Sequence, residues 1–186
     1  MPSPLELAIL SVFVFLVTAA AIPFLSKKQS FLINVSFLVS AISSIVSAYA
    51  GFLTVYHGIT DSIIIPIGLP ELPFYLRVDP LSGFFLGVIS LTGFFVSIYS
   101  LGYVKGFLGK RSVTPLAVFY SLFMAGMLLV TLADDAYSFM VSWELMAASS
   151  YFLVCFEDDI VENRRAAVLY LLIAHIGAVF ILLAFG

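Results

Sequence analysis

Glu144 and His175 are the residues of this 186-residue chain whose types and settings could do chemistry. Glu144 lies within Tyr137–Phe156, a membrane-length stretch that carries no other charge. A carboxylate at mid-bilayer costs roughly 2.5–3.5 kcal/mol on insertion scales, so it persists where it faces protein or water and commonly handles protons or ions. Tyr137, Glu144 and Tyr151 recur every seven residues and therefore share one helical face, with Ala147 and Ala148 beside Glu144 for close approach of a neighbouring helix. Ser142, Ser149 and Ser150 point elsewhere and can bond the carbonyl four residues earlier. His175 sits in Leu172–Val179, and imidazole is the side chain that exchanges a proton between about pH 5 and 8. Arg164, eleven residues earlier, places a polar line along the same helix. The candidates for proton transfer are thus Glu144 and His175, with Tyr137, Tyr151 and Arg164 in support. A structural hydrogen bond or ion pair locking two helices is the alternative role.

The elements that must position these groups follow from composition. The chain is 62% hydrophobic and 10% charged, with mean hydropathy +1.16. Soluble domains carry about 25% charged residues, and uncharged apolar runs of membrane length recur here throughout. The expected fold is all-α: a polytopic transmembrane helix bundle of six spans, over approximately Leu5–Leu25, Phe31–Tyr56, Pro80–Val104, Thr114–Leu132, Tyr137–Phe156 and Arg164–Gly186. Asp79-Pro80 and Thr114-Pro115 each place a capping side chain before a proline at the first helical position. The first run follows an acidic segment containing Glu6 and precedes Lys27 and Lys28, the reverse of a secretory signal, so it reads as a retained helix.

Basic residues set the expected orientation. With both termini outside, the inner loops hold Lys27, Lys28, Lys105, Lys110, Arg111, Arg164 and Arg165, leaving Arg77 outside. Between Tyr56 and Asp79, the runs Ile63–Ile67 and Phe74–Val78 flank a Gly/Pro turn and predict a short outer hairpin whose pairing Pro66 and Pro73 limit. Capping of helix ends and substrate binding are both open to it. Asp134-Asp135 falls in an outer turn, either solvated or at a channel mouth. Glu157, Asp158, Asp159 and Glu162 precede Arg164-Arg165 as a mixed-charge inner surface. One cysteine, Cys155, rules out an internal disulfide or a cysteine-built cluster. No glycine-rich nucleotide loop and no histidine at metal-ligand spacing occurs, so no redox centre, cofactor, metal or nucleic-acid partner is expected.

Three segments carry a family resemblance. Val78-Asp79-Pro80-Leu81-Ser82-Gly83-Phe84-Phe85 resembles the third-helix entry of the antiporter-like subunits shared by respiratory complex I, Mrp-type cation/proton antiporters and membrane-bound hydrogenases. Ser142-Trp143-Glu144-Leu145-Met146 resembles their fifth-helix motif, in which the Trp-Glu pair is the most specific element. Asn163-Arg164-Arg165-Ala166-Ala167 and His175-Ile176-Gly177 are most similar to the hydrogenase branch, meaning hydrogenase-4 component B and the formate hydrogenlyase membrane subunits.

The resemblance implies three leading helices (residues 1–113, with the outer loop at 57–79) followed by the first three helices of a proton-translocation repeat (114–186). It covers less than half of the family unit. It makes Glu144 the glutamate that modulates a buried lysine on a seventh helix, which lies beyond the last residue. This stretch alone is therefore not expected to complete a proton path, and other membrane subunits, one of them supplying the missing helices, are the expected partners besides the lipid bilayer. The implied setting is a redox-driven ion-translocating complex of hydrogenase or NADH dehydrogenase type in the cell membrane of a prokaryote. A piece of a Mrp-type antiporter and a truncated, non-translocating scaffold are the alternatives.

Overall fold

The computed structural model describes residues 2–25, 29–69 and 72–186. Lys27 and Lys28, on which part of the orientation rests, lie outside the described residues, as do Pro70 and Glu71 of the hairpin turn. The chain runs α1 (Pro4–Ala21), α2 (Gln29–His57), β1 (Asp61–Leu69), β2 (Leu72–Val78), α3 (Pro80–Tyr103), α4 (Thr114–Leu132), α5 (Ala136–Val154) and α6 (Val161–Phe185). All six helices are long and apolar enough to cross a membrane.

Local chemistry sets several boundaries. Asp79 caps α3 as expected: its carboxylate accepts from the Ser82 amide, and the Ser82 hydroxyl accepts in return from the Asp79 amide. A second capping box opens α1, between Ser3 and Glu6, and its S-x-x-E spacing is a legible signal. Thr114 is not a cap. It is the first helical residue of α4, after Val113, which has no capping side-chain bond. α6 starts at Val161, three residues before Arg164, because Ile160 is the last extended residue.

Small residues decide which helices meet closely. α2 and α3 form the most extensive helix contact. They cross where a Cβ on Gly51 would stand 2.5 Å from the Gly83 carbonyl oxygen. Buried hydroxyls stand at this contact: Thr54, which donates to the Ala50 carbonyl, lies beside Gly83, and Ser44 lies beside Gly93. Tyr120 of α4 donates to the Gly93 carbonyl at 3.0 Å and bonds the Ser97 hydroxyl at 2.8 Å, tying α4 to α3. Phe15, Phe37, Leu86 and Leu128 fill the core that α1 to α4 enclose. α5 packs on α4, and α6 on α5. Only 6% of the apolar window of α6 is buried, which leaves its outer face without a neighbour among the described residues.

The hairpin forms at the end of the bundle where α4 meets α5. β1 and β2 pair antiparallel, and the ladder breaks between Ile65 and Gly68, at Pro66, which has no amide to give. Asp134 and Asp135 are not a solvated turn. The Asp134 amide donates to the Tyr75 carbonyl, and the Asp134 carboxylate holds Arg77 Nε at 2.8 Å. Asp135 caps α5 through the Ser138 amide, and the Tyr75 amide reaches both the Asp135 carboxylate and the Ser138 hydroxyl. These bonds dock β2 on the α4–α5 junction and bury Leu76 and Val78.

Partial burial pushes the Asp135 carboxyl upward, but hydrogen bonds from Ser138, Tyr137 and Tyr75 outweigh it and hold the group below the usual carboxylate range. A folded-state value below the unfolded one means stability that is present above the unfolded value, near 4, and lost as pH falls through the folded one. Asp135→Ala is expected to cost about 1 kcal/mol, a typical helix cap. Hydrogen exchange at the β2 amides checks it, and the same loosening is expected in the parent protein on acidification below about pH 4.

Candidate proton-handling site

Glu144 is the ninth residue of the nineteen in α5 and so sits one residue before its midpoint. Its rotation about the helix is set by the opposite face. Ser138, Ser142 and Ser149 are buried on that face, with the Ser142 and Ser149 hydroxyls donating to the carbonyls of Ser138 and Leu145. Gly126 of α4 makes that seat close: a Cβ there would meet Met146 N and Cα of α5 at 2.9 Å. With this face held against α4, Glu144 is turned toward α6.

There it meets His175. Nε2 of the imidazole lies 3.2 Å from Glu144 Oε2, and Nδ1 lies 2.9 Å from the Leu171 carbonyl oxygen of the preceding helical turn. Thus the structure joins the two candidates that the sequence offered separately. The side chains are 44% exposed for Glu144 and 52% for His175. Ion-pairing residues at mid-span normally face protein or a water-filled space, so this is the face of the bundle that calls for a cover.

The supporting candidates go elsewhere. Seven helical residues span about 10.5 Å along the axis, so neither tyrosine is beside the carboxylate. Tyr137 packs edge-on against Phe74 of the hairpin. Tyr151 and Arg164 line a cavity of about 660 Å³ between α4, α5 and α6 at the end opposite the hairpin, together with Arg111, Phe119, Cys155 and Val168. Arg164 donates to the Asp158 carbonyl at 2.7 Å.

Arg111 is a residue that sequence reasoning placed only as an inner-loop charge. It donates to the Phe156 carbonyl, stands over the Phe156 ring and pairs with Asp159, which closes the C-terminal end of α5. The guanidinium beside Asp159 holds that carboxyl below the usual range. Trp143, next to Glu144, stacks on Phe139, and its buried indole N–H has no hydrogen-bond partner among the described residues. No cluster of three metal-ligating side chains occurs among the described residues.

Six apolar helices of spanning length, with a carboxylate–imidazole pair at mid-span, define a polytopic membrane protein. Comparison with known proteins narrows the class. Residues 65–109 match the family model described as NADH-Ubiquinone oxidoreductase (complex I), chain 5 N-terminus. Hydrogenase-4 component B of Escherichia coli (strain K12) is 32% identical over 184 residues, which are 97% of this chain and 27% of that protein. An uncharacterised Mycobacterium tuberculosis protein is 35% identical over 115 residues, 61% of this chain and 17% of that one.

Two solved structures share the fold. One is a membrane-bound sulfane sulfur reductase, an archaeal respiratory membrane complex: TM-score 0.78, 20% identity, 95% of this chain and 35% of the other. The second is a Mrp complex from Dietzia sp. DQ12-45-1b: TM-score 0.71, 24% identity, 95% and 18%. The chain is thus similar over nearly its whole length to part of a hydrogenase-4 membrane component and, over residues 65–109, to the N-terminus of a complex I chain, and it shares its fold with part of a Mrp complex. It spans about a quarter or less of the length of the curated relatives it matches.

Proposed function

We propose that this chain is the N-terminal part of a membrane subunit in a redox-driven ion-translocating complex of hydrogenase or NADH dehydrogenase type. Glu144 supplies its mid-membrane proton-carrying group. The observation that carries this reading is the half-exposed Glu144–His175 pair at mid-span, because two ionisable groups on a face open to lipid require a protein or aqueous cover. The identity of the hydrogenase subunit over nearly the whole chain supports it further.

The chain sits in the cell membrane of a prokaryote with both termini outside, so that Lys105, Lys110, Arg111, Arg164 and Arg165 face inward. Residues 1–113 form the leading helices, and 114–186 open a translocation repeat whose remaining helices cover the α5–α6 face. The shared fold of the Mrp complex favours a second reading, a cation/proton antiporter with no redox partner.

Purification of the tagged native chain in mild detergent, followed by mass spectrometry, separates the two. Co-recovery of hydrogenase- or dehydrogenase-like subunits is the expected result. Antiporter subunits without any redox protein would select the second reading, and recovery of the chain alone would overturn both.

A further inference from the structure

Beyond the presence of a proton carrier, the two ring nitrogens of His175 have different surroundings, one in a hydrogen bond and one in close approach to Glu144, and this bears on which member of the pair exchanges protons; it rests on the reading of Glu144 as part of an ion path. A backbone carbonyl can only accept, so the contact of Nδ1 with the Leu171 oxygen at 2.9 Å places a hydrogen on Nδ1. In neutral imidazole the other nitrogen, Nε2, is then bare. Across the 3.2 Å from Nε2 to Glu144 Oε2, a hydrogen bond therefore needs one further proton, carried by either partner. With it on nitrogen the pair is imidazolium and carboxylate; with it on oxygen the pair is imidazole and carboxylic acid. Moving it breaks one N–H bond, forms one O–H bond and leaves the net charge at zero.

We propose that His175 is a one-proton reservoir for Glu144, held in a fixed tautomer by the Leu171 carbonyl, and that protons enter and leave the pair through the Glu144 carboxylate. A relay that passes a proton through an imidazole takes it up on one nitrogen and releases it from the other. Here Nδ1 faces a group that can neither supply nor accept a full proton, so passage through the ring would require it to rotate away from Leu171. Storage on Nε2 requires no rotation. The neutral one-proton pair also suits mid-membrane depth, where a separated charge is costly.

Two measurements on the full-length chain, assembled with its partner subunits in native membranes, test this. Solid-state ¹⁵N NMR with ring-labelled histidine, using the difference between parent and His175→Gln, reads the tautomer. A hydrogen on Nδ1 in both the neutral and the charged ring is expected; a neutral tautomer protonated on Nε2 overturns the proposal. His175→Gln then separates storage from simple bonding, because the glutamine amide can still donate to Glu144 but cannot hold a proton. Ion translocation is expected to drop about a hundredfold, the low end for a positioned proton carrier, with redox turnover retained. Parental translocation would reduce His175 to a hydrogen-bond donor and overturn the reservoir. Neither result depends on Glu144→Gln, whose effect on translocation tests the underlying reading separately.

Discussion

Glu144→Gln is expected to slow ion translocation about a hundredfold while redox turnover by the assembled complex continues. The substitution keeps size and most of the packing, since the amide can offer either a donor or an acceptor to Nε2 of His175. What it removes is the ability to bind and release a proton. Positioned acid–base groups contribute about 10² to 10⁴ in rate, so a hundredfold loss, near 2.7 kcal/mol, is the lower expectation. Proton uptake by inverted vesicles measures it, with hydrogen- or NADH-dependent dye reduction as the redox control. Unchanged uptake would make this segment a scaffold and Glu144 a structural partner of α6.

Gly126→Val is expected to have the largest effect on the bundle. The atoms that a Cβ would meet at 2.9 Å are N and Cα of Met146, backbone of α5 two residues beyond Glu144, so no side-chain rotation relieves the clash. α5 must shift as a unit, at a cost of about 1–3 kcal/mol or more for overpacking. Because α6 packs on α5, and α5 on α4, the shift carries the whole Glu144–His175 face with it. A lower thermal midpoint in detergent and poorer recovery of the assembled complex are the expected readouts. Gly177→Ala in α6 is the control: apart from the backbone of its own helix and its chain neighbours, no atom of the described residues lies within 4 Å of its Cβ position, and alanine is the better helix former. If both variants matched the parent, α4 and α5 would not be held at Gly126.

Much of the scaffold was legible because its causes are local. A run of apolar residues of spanning length forms a helix wherever its neighbours lie, since backbone groups in lipid must bond within the segment. Asp79 followed by Pro80 with Ser82 behind it spells a cap from four residues alone. The back-bonding of Ser142 and Ser149 likewise follows from the hydroxyl and the carbonyl four residues earlier. Thr114 misled for an equally local reason: the same Thr-Pro signal fits both a cap and a first helical residue, and Val113 took the outer position.

The partners of the charged groups were another matter. Asp134 and Asp135 look like a solvated turn until β2 is brought across them, and only then do Arg77 and the Tyr75 amide find their acceptors. Arg111 reads as a loop charge until the end of α5 lies beside it. The seven-residue spacing put Tyr137 and Tyr151 on the face of Glu144 but could not convey that one would lean on the hairpin and the other line the far cavity.

Sequence alone determined that six helices of spanning length form and that a lone acid stands at the middle of the fifth. Hydropathy, charge placement and capping act within a few residues of chain, and no distant contact is needed to decide them. Tertiary structure decided that His175 is the partner of that acid, that the tyrosines are not, and that the pair lies on an open face. Helical periodicity assigns a side chain to a face, whereas the rotation and spacing of α5 against α4 and α6 decide what that face meets. Those depend on close approaches such as Gly126 against Met146, which join residues distant in the chain.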